Sequence, residues 1–269
     1  MRNIILYIII LTAGVLCSCE KEIDVKLQGA AKKYVIEAVV TDKAGGCRVL
    51  ISQTKDFNED NTPITVSGAR VQIGTGDSSV MLVENTPGVY ESSALKGIPG
   101  TTYNLQVNIE SETFTARSTM PSLVKMDSLY ITEEMFFGDK YKLPTISYMD
   151  PVGALNFYRF MVYVNGTKKK QIFAFNDELT DGNRNATRLF VDVDQDDVED
   201  EEKIKTGDLV KVEMLTIDAP IYKYFFSLEN SATGDSNSAT PANPVSNIQG
   251  GALGYFSVHT LQSMEVRVP

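Results

Sequence analysis

The 269-residue chain has no tryptophan, one histidine and three cysteines. Without Trp it lacks the best stacking residue for a sugar or base platform, although 12 Tyr and 12 Phe remain. The cysteines and the lone histidine are too few and too scattered for a zinc set, which needs several ligands. His259 falls inside an expected strand, and Phe256, not an Asp, stands three residues before it. A hydroxyl nucleophile therefore has no evident base, because such nucleophiles are activated by an adjacent one. Positive charge is also scarce: 25 Lys and Arg stand against 35 Asp and Glu, for a net charge of -10. An acidic chain repels phosphate backbones, so no nucleic-acid partner is expected. The one long apolar stretch, residues 4–16, is shorter than the roughly 20 residues a membrane span requires.

What the N-terminus does contain is a secretory layout. Arg2 precedes the apolar stretch, and small residues follow it. Leu16-Cys17-Ser18-Cys19 resembles a bacterial lipobox, in which the Cys is acylated and the peptide is cut just before it. Residues 1–18 then read as a lipoprotein signal peptide, Cys19 as the lipidation site and residues 19–32 as a lipidated tether. Two or more acyl chains, each contributing about 0.8 kcal/mol per buried methylene, hold a protein stably on a bilayer. Glu20, Lys21, Glu22 and Asp24 resemble the short acidic signal that sends Bacteroidota lipoproteins to the outer face of the outer membrane. With Cys17 removed and Cys19 acylated, Cys47 has no disulfide partner within the chain and reads as a small buried residue.

The remainder alternates between β-branched, half-apolar runs and turn residues, the pattern of antiparallel β structure. Runs at 34–40, 47–52, 69–73, 79–84, 88–91, 102–109 and 112–118 predict a small immunoglobulin-like sandwich over residues 33–121. Met120-Pro121 reads as its border. Longer runs at 127–132, 142–149, 157–164, 169–175, 187–192, 209–217 and 254–268 predict a larger antiparallel sandwich or barrel-like domain over residues 122–269. Asn165-Gly166 between two of these runs is a strong hairpin signal. One helix is expected at 219–230: Ile221, Tyr224, Phe225 and Leu228 follow helical spacing, Asp218 caps the start and Pro220 sits in the first turn. Its aromatic stripe reads as core. The Gly250-Gly251-Ala252-Leu253-Gly254 run precedes a strand, not a helix, so it is read as a bulge or close backbone approach and not a dinucleotide loop.

The succession of motifs resembles a whole family. The chain has the lipobox, a Val-Ile-Glu-Ala-Val-Val-Thr-Asp strand, Val-Ser-Gly-Ala-Arg-Val, and an Asn-Asp-Glu-Leu-Thr-Asp-Gly turn from Asn176 to Gly182. Thr-Gly-Asp-Leu-Val-Lys-Val, Tyr-Lys-Tyr-Phe-Phe-Ser-Leu and a Pro-Val-Ser-Asn-Ile-Gln-Gly-Gly to Gly-Tyr-Phe ending follow. In this it resembles the surface-lipoprotein family of Bacteroidota called domain of unknown function 4249. Members of that family tend to be encoded beside TonB-dependent outer-membrane receptors. The resemblance therefore implies partnership with such a transporter, and it supplies no catalytic residues.

Other candidate chemistry is thin. Gly76-Asp77-Ser78 and Gly234-Asp235-Ser236 echo the Gly-Asp-Ser of one hydrolase family, but no base stands beside either. Asp192, Asp194 and Asp196 alternate as in a calcium loop, yet Asp197 stands where Gly belongs and Lys203 where the bidentate Glu belongs. A solvated hairpin tip is the preferred reading of that run, and no metal or other cofactor is expected. The polar loop at 231–247 is long enough to be functional. Ser236, Asn237, Asn243 and Asn247 are its candidate contact residues for a partner or ligand. The chain thus reads as a non-catalytic outer-membrane lipoprotein that assists a transporter. An adhesin or glycan-binding protein is the alternative, and a glycan hydrolase the enzyme alternative.

Overall fold

The computed structural model describes residues 31–56, 59, 62–76, 78–136, 138–192, 203–232 and 243–269. In chain order the first half carries β1 (Tyr34–Thr41), β2 (Cys47–Gln53), β3 (Ile64–Thr65), β4 (Arg70–Thr75) and β5 (Ser78–Met81). It continues with β6 (Val83–Thr86), β7 (Val89–Ser92), β8 (Thr102–Ile109) and β9 (Glu112–Thr119). The second half carries β10 (Met126–Phe136), β11 (Asp139–Met149), β12 (Phe157–Val164), β13 (Thr167–Lys168), β14 (Phe173–Asn176) and β15 (Arg184–Arg188). It ends with β16 (Leu209–Ile217), helix α1 (Ala219–Ala232), β17 (Ile248–Gln249) and β18 (Leu253–Arg267). The fold is all-β; the described residues contain one short helix, and their strands form three sheets and no closed barrel.

A ten-stranded sheet is the backbone of the molecule. Its order is β13-β12-β16-β18-β1-β2-β7-β6, with β14 also on β12 and β3 on β2. A five-stranded sheet, β17-β9-β8-β4-β5, packs over one part of it, and a three-stranded sheet, β10-β11-β15, over another. Alternation builds the layers. In β8, Tyr103, Leu105, Val107 and Ile109 are buried while Asn104, Gln106 and Asn108 lie on the opposite face. The first core joins Ile36, Val49, Ile51 and Tyr90 to Val71, Leu105 and Phe114. The second joins Tyr158, Phe160 and Val212 to Ile146, Tyr148 and Leu189. Each such side chain contributes about 1.5–3 kcal/mol when fully buried.

Where the sequence predicts one strand at 79–84, the structure has two. β5 belongs to the five-stranded sheet and β6 to the ten-stranded one, and the buried Leu82 lies between them where the chain crosses layers. The run at 169–175 is strand only from Phe173 onward. The run at 187–192 shifts to β15, which pairs with β11. Asn165 and Gly166 both have positive φ, 50° and 83°, as the two-residue hairpin turn requires.

The expected border at residue 121 falls between the two cores, but the first core is completed by residues from beyond it. β18 pairs with β1 in parallel through Val35–Thr41, then with β16 antiparallel through Leu209–Thr216. Its first half places Phe256 and Val258 in the first core, beside Ile248 and Ala252. The stretch 33–121 therefore buries its apolar faces only with help from residues near the C-terminus, and residues 32–269 form one compact unit. Asp218 reinforces the link. Its Oδ1 caps α1 by accepting the Ile221 N–H at 3.3 Å, while Oδ2 accepts Ser118 Oγ at 2.8 Å and the Thr119 N–H at 3.0 Å. Burial pushes this carboxyl above the ordinary range, against the donors that pull it down.

The helix closes the other face of the ten-stranded sheet. Ile221, Tyr224 and Phe225 pack on Phe157, Ala174, Leu215 and Ile217. Arg159 on β12 is accommodated beneath it by stacking, its Cζ 3.5 Å from the Phe225 ring centroid.

Candidate functional site

Beside the helix two loops close on each other. Pro151 has no N–H to continue the β11 ladder, so the strand ends at Met149 and the chain turns at Asp150. After β14 the 177–183 turn folds back. The Asp150 N–H donates to Asn183 O at 3.0 Å, and the Asp177 N–H to Asn156 O at 3.2 Å. Three aspartates then tie the loops together. Asp177 Oδ2 accepts the Asn156 N–H at 2.9 Å and Asn156 Nδ2 at 3.1 Å. Asp181 Oδ1 accepts the Gly153 N–H at 2.8 Å. Asp150 accepts the Tyr158 hydroxyl on one oxygen and the Gly182 N–H, at 3.1 Å, on the other. Burial raises the Asp150 carboxyl above its usual range and the neighbouring Asp177 raises it further, opposed by the Tyr158 and Gly182 donors.

The rim of this clasp is apolar. Val152 is 82 % exposed, Leu155 60 % and Leu179 94 %. An aromatic row leads from its base onto the helix: the Phe157 and Tyr222 rings are 5.0 Å apart, and Tyr222 and Phe226 5.6 Å. Phe226 is itself about half exposed. Hydrogen-bonded loops presenting several large apolar side chains can bind.

A family model described as domain of unknown function (DUF4249) matches residues 20–265. The chain belongs to this family. No curated protein matches it. The DUF4249 match takes in the clasp, the helix and nearly all of β18.

Several residues singled out by sequence in this DUF4249 protein, Cys19, Asp194, Asp196, Ser236 and Asn237, lie outside the described residues. Asn243 is exposed. Asn247 is not a free contact group: its Nδ2 donates to Phe256 O and its Oδ1 accepts the Phe256 N–H, both at 2.9 Å. It latches the end of the 231–247 loop to β18, and Val245 N–H holds the same segment to Ser227 Oγ on the helix at 2.9 Å. Asp192 already has a cation: Lys169 Nζ lies 2.5 Å away, and Gln171 Nε2 donates to it at 2.9 Å. Conversely, Asp150, Asp177 and Asp181 carried no role in the sequence reading. Two of them stood in the Asn176 to Gly182 motif, but the third comes from a strand end 27 residues earlier than Asp177 and is joined to them only by folding.

His259 does have a serine neighbour, with Ser257 Oγ 2.8 Å from its Nδ1. Both side chains are buried within β18, so the pair is a core contact with no route for a substrate. Burial, then the charge of Arg159, lowers the imidazole from 6.5 to about 3, with Asp42 opposing. The unfolded chain thus binds a proton that the folded chain refuses. The associated stability is full above pH 6.5 and is lost as pH falls toward about 3, at about 1.4 kcal/mol per pH unit. Denaturant unfolding of wild type and His259→Gln at pH 7 and pH 4.5 checks this. The gap between the two proteins is expected to shrink at the lower pH, and a constant gap would contradict it.

A second surface lies on the outer face of the five-stranded sheet. It is an open groove of about 430 Å³ whose described lining includes Gln72, Asn104, Gln106, Thr115, Arg117 and Gln249. Gln72 Nε2 donates to Gln106 Oε1 at 3.0 Å, so its amides form a short ladder.

Proposed function

We propose that this protein is a non-catalytic, lipid-anchored protein of the outer-membrane surface that serves a TonB-dependent receptor as an accessory or ligand-capturing partner. The observation that carries the binding reading is the clasp rim. Single exposed apolar residues are ordinary on protein surfaces, but this rim carries three large ones on two hydrogen-bonded loops, at the base of an aromatic row that ends at the half-exposed Phe226. The loops are already ordered by their own hydrogen bonds, so docking them costs little further conformational entropy. A lipid at Cys19 would confine the protein to the membrane plane beside its receptor, where a modest interface suffices because the effective concentration is high. The transporter as partner comes from the family resemblance, and the rim is the surface through which it would be met.

Affinity purification from native outer membranes in mild detergent tests this. Wild type is expected to recover a β-barrel receptor. A Val152→Ser, Leu155→Ser, Leu179→Ser variant is expected to lose most of it, and a variant with residues 233–242 replaced by Gly/Ser measures the share of the long loop. Wild type that brings down no β-barrel receptor would overturn the transporter reading. Equal recovery with the rim variant would remove the clasp from it. The glycan-binding alternative is favoured by one observation, the amide ladder in the groove, since amides suit sugar hydroxyls.

A further inference from the structure

We infer that Asp150, Asp177 and Asp181 form a binding site for a calcium ion. One ligand oxygen from each lies within 4.8 Å of the other two. Ligands on opposite sides of Ca²⁺, at about 2.3–2.6 Å each, stand about 5 Å apart, so this spacing fits a single shared ion. The second observation is Asp177 itself. It is 1 % exposed, and while Oδ2 takes both Asn156 donors, Oδ1 is buried and accepts no hydrogen bond. A buried carboxylate oxygen without a donor is costly unless a proton or a cation meets it. Asp150 is equally buried, and none of the three carboxylates is paired with a Lys or Arg among the described residues.

The donor set selects the ion. Carboxylate oxygens without His or Cys suit hard cations and not zinc or copper. Two loops with irregular spacing suit Ca²⁺, which takes 6–8 oxygens in flexible geometry, better than Mg²⁺, which demands a near-ideal octahedron. Asp181 is exposed, so the ion has a path from solvent and water can complete its shell. The site is separate from the 192–196 run that sequence spacing brought forward, and it stands whether or not the clasp meets a receptor.

The test uses the mature chain stripped with EDTA. Millimolar Ca²⁺ is expected to raise the thermal midpoint by roughly 5–10 °C, the shift for a chain of this size near saturation, and Mg²⁺ by much less. Terbium at the site would be sensitised by Tyr158, whose hydroxyl bonds Asp150, and displaced by Ca²⁺. Asp181→Asn keeps an acceptor for the Gly153 N–H and should fold normally, yet lose the Ca²⁺ shift. Asp192→Asn should retain it. Asp177→Asn relieves the uncompensated charge, so its midpoint in EDTA should equal or exceed that of wild type and not respond to Ca²⁺. No midpoint change with Ca²⁺ in wild type, or a full change in Asp181→Asn, would overturn the assignment.

Discussion

Gly254→Ala is expected to cost roughly 3–5 kcal/mol of stability, a large share of the 5–15 kcal/mol that ordinary domains possess. Gly254 has φ +97°, a backbone state that L side chains rarely adopt. A Cβ there would lie 2.1 Å from Ile36 O and 2.7 Å from Ile36 C, both backbone atoms of β1. Neither can rotate away as a side chain would. Gly254 pairs with Ile36 in the parallel β1–β18 register, so relief requires moving one strand from the other along the seam that joins the two halves of the molecule. Gly251→Ala is the matching control. Its φ is +92°, but nothing lies within 4 Å of its would-be Cβ, so it bears only the backbone strain, about 1–2 kcal/mol. Chemical denaturation of the two variants separates strain from collision. Equal losses would show that β1 and β18 do not approach closely at Gly254.

Cys19→Ala is expected to abolish membrane attachment. If Cys19 is the proposed acylation site, its loss removes the acyl chains, and the protein should appear soluble or as the uncleaved precursor. The effect is close to all-or-none, since a single acyl chain binds only marginally and attachment depends on several together, at about 0.8 kcal/mol per methylene. Among the described residues no helix is long and apolar enough to cross a membrane. Fractionation and the mass of the mature N-terminus decide the matter. A Cys19→Ala protein that still sediments with outer membrane and is processed normally would refute the lipid anchor, and with it the tethering part of the proposed function.

Much of the local structure was legible because its causes are local. The Tyr103, Leu105, Val107, Ile109 alternation announced β8. Asn165-Gly166 announced a turn whose positive φ values few other pairs adopt. Asp218, Pro220 and the 221–228 spacing announced α1 to within two residues at its end. The Gly-rich run at 250–254 reads as a bulge or a close backbone approach, and Gly254, already within β18, makes the second, against Ile36. Boundaries failed where neighbouring layers compete for the chain, as at Leu82, where one apparent run serves two sheets.

What periodicity does not carry is partner choice. The pattern of β18 marks a strand with a buried face, but nothing in residues 253–267 names β1 as the neighbour of one half and β16 as the neighbour of the other. That choice belongs to the shape of the whole core, and it joined two expected domains through a single sheet. The clasp has the same origin. Asp150 follows one strand and Asp177 another, and only the antiparallel β12–β14 pairing and the return of the 177–183 turn bring their carboxylates together. Strand, turn and helix signals depend on residues a few positions apart, and the sequence by itself determined those. The shared sheet, the apolar rim and the three-aspartate cluster depend on contacts between distant segments, so only the tertiary structure decided them.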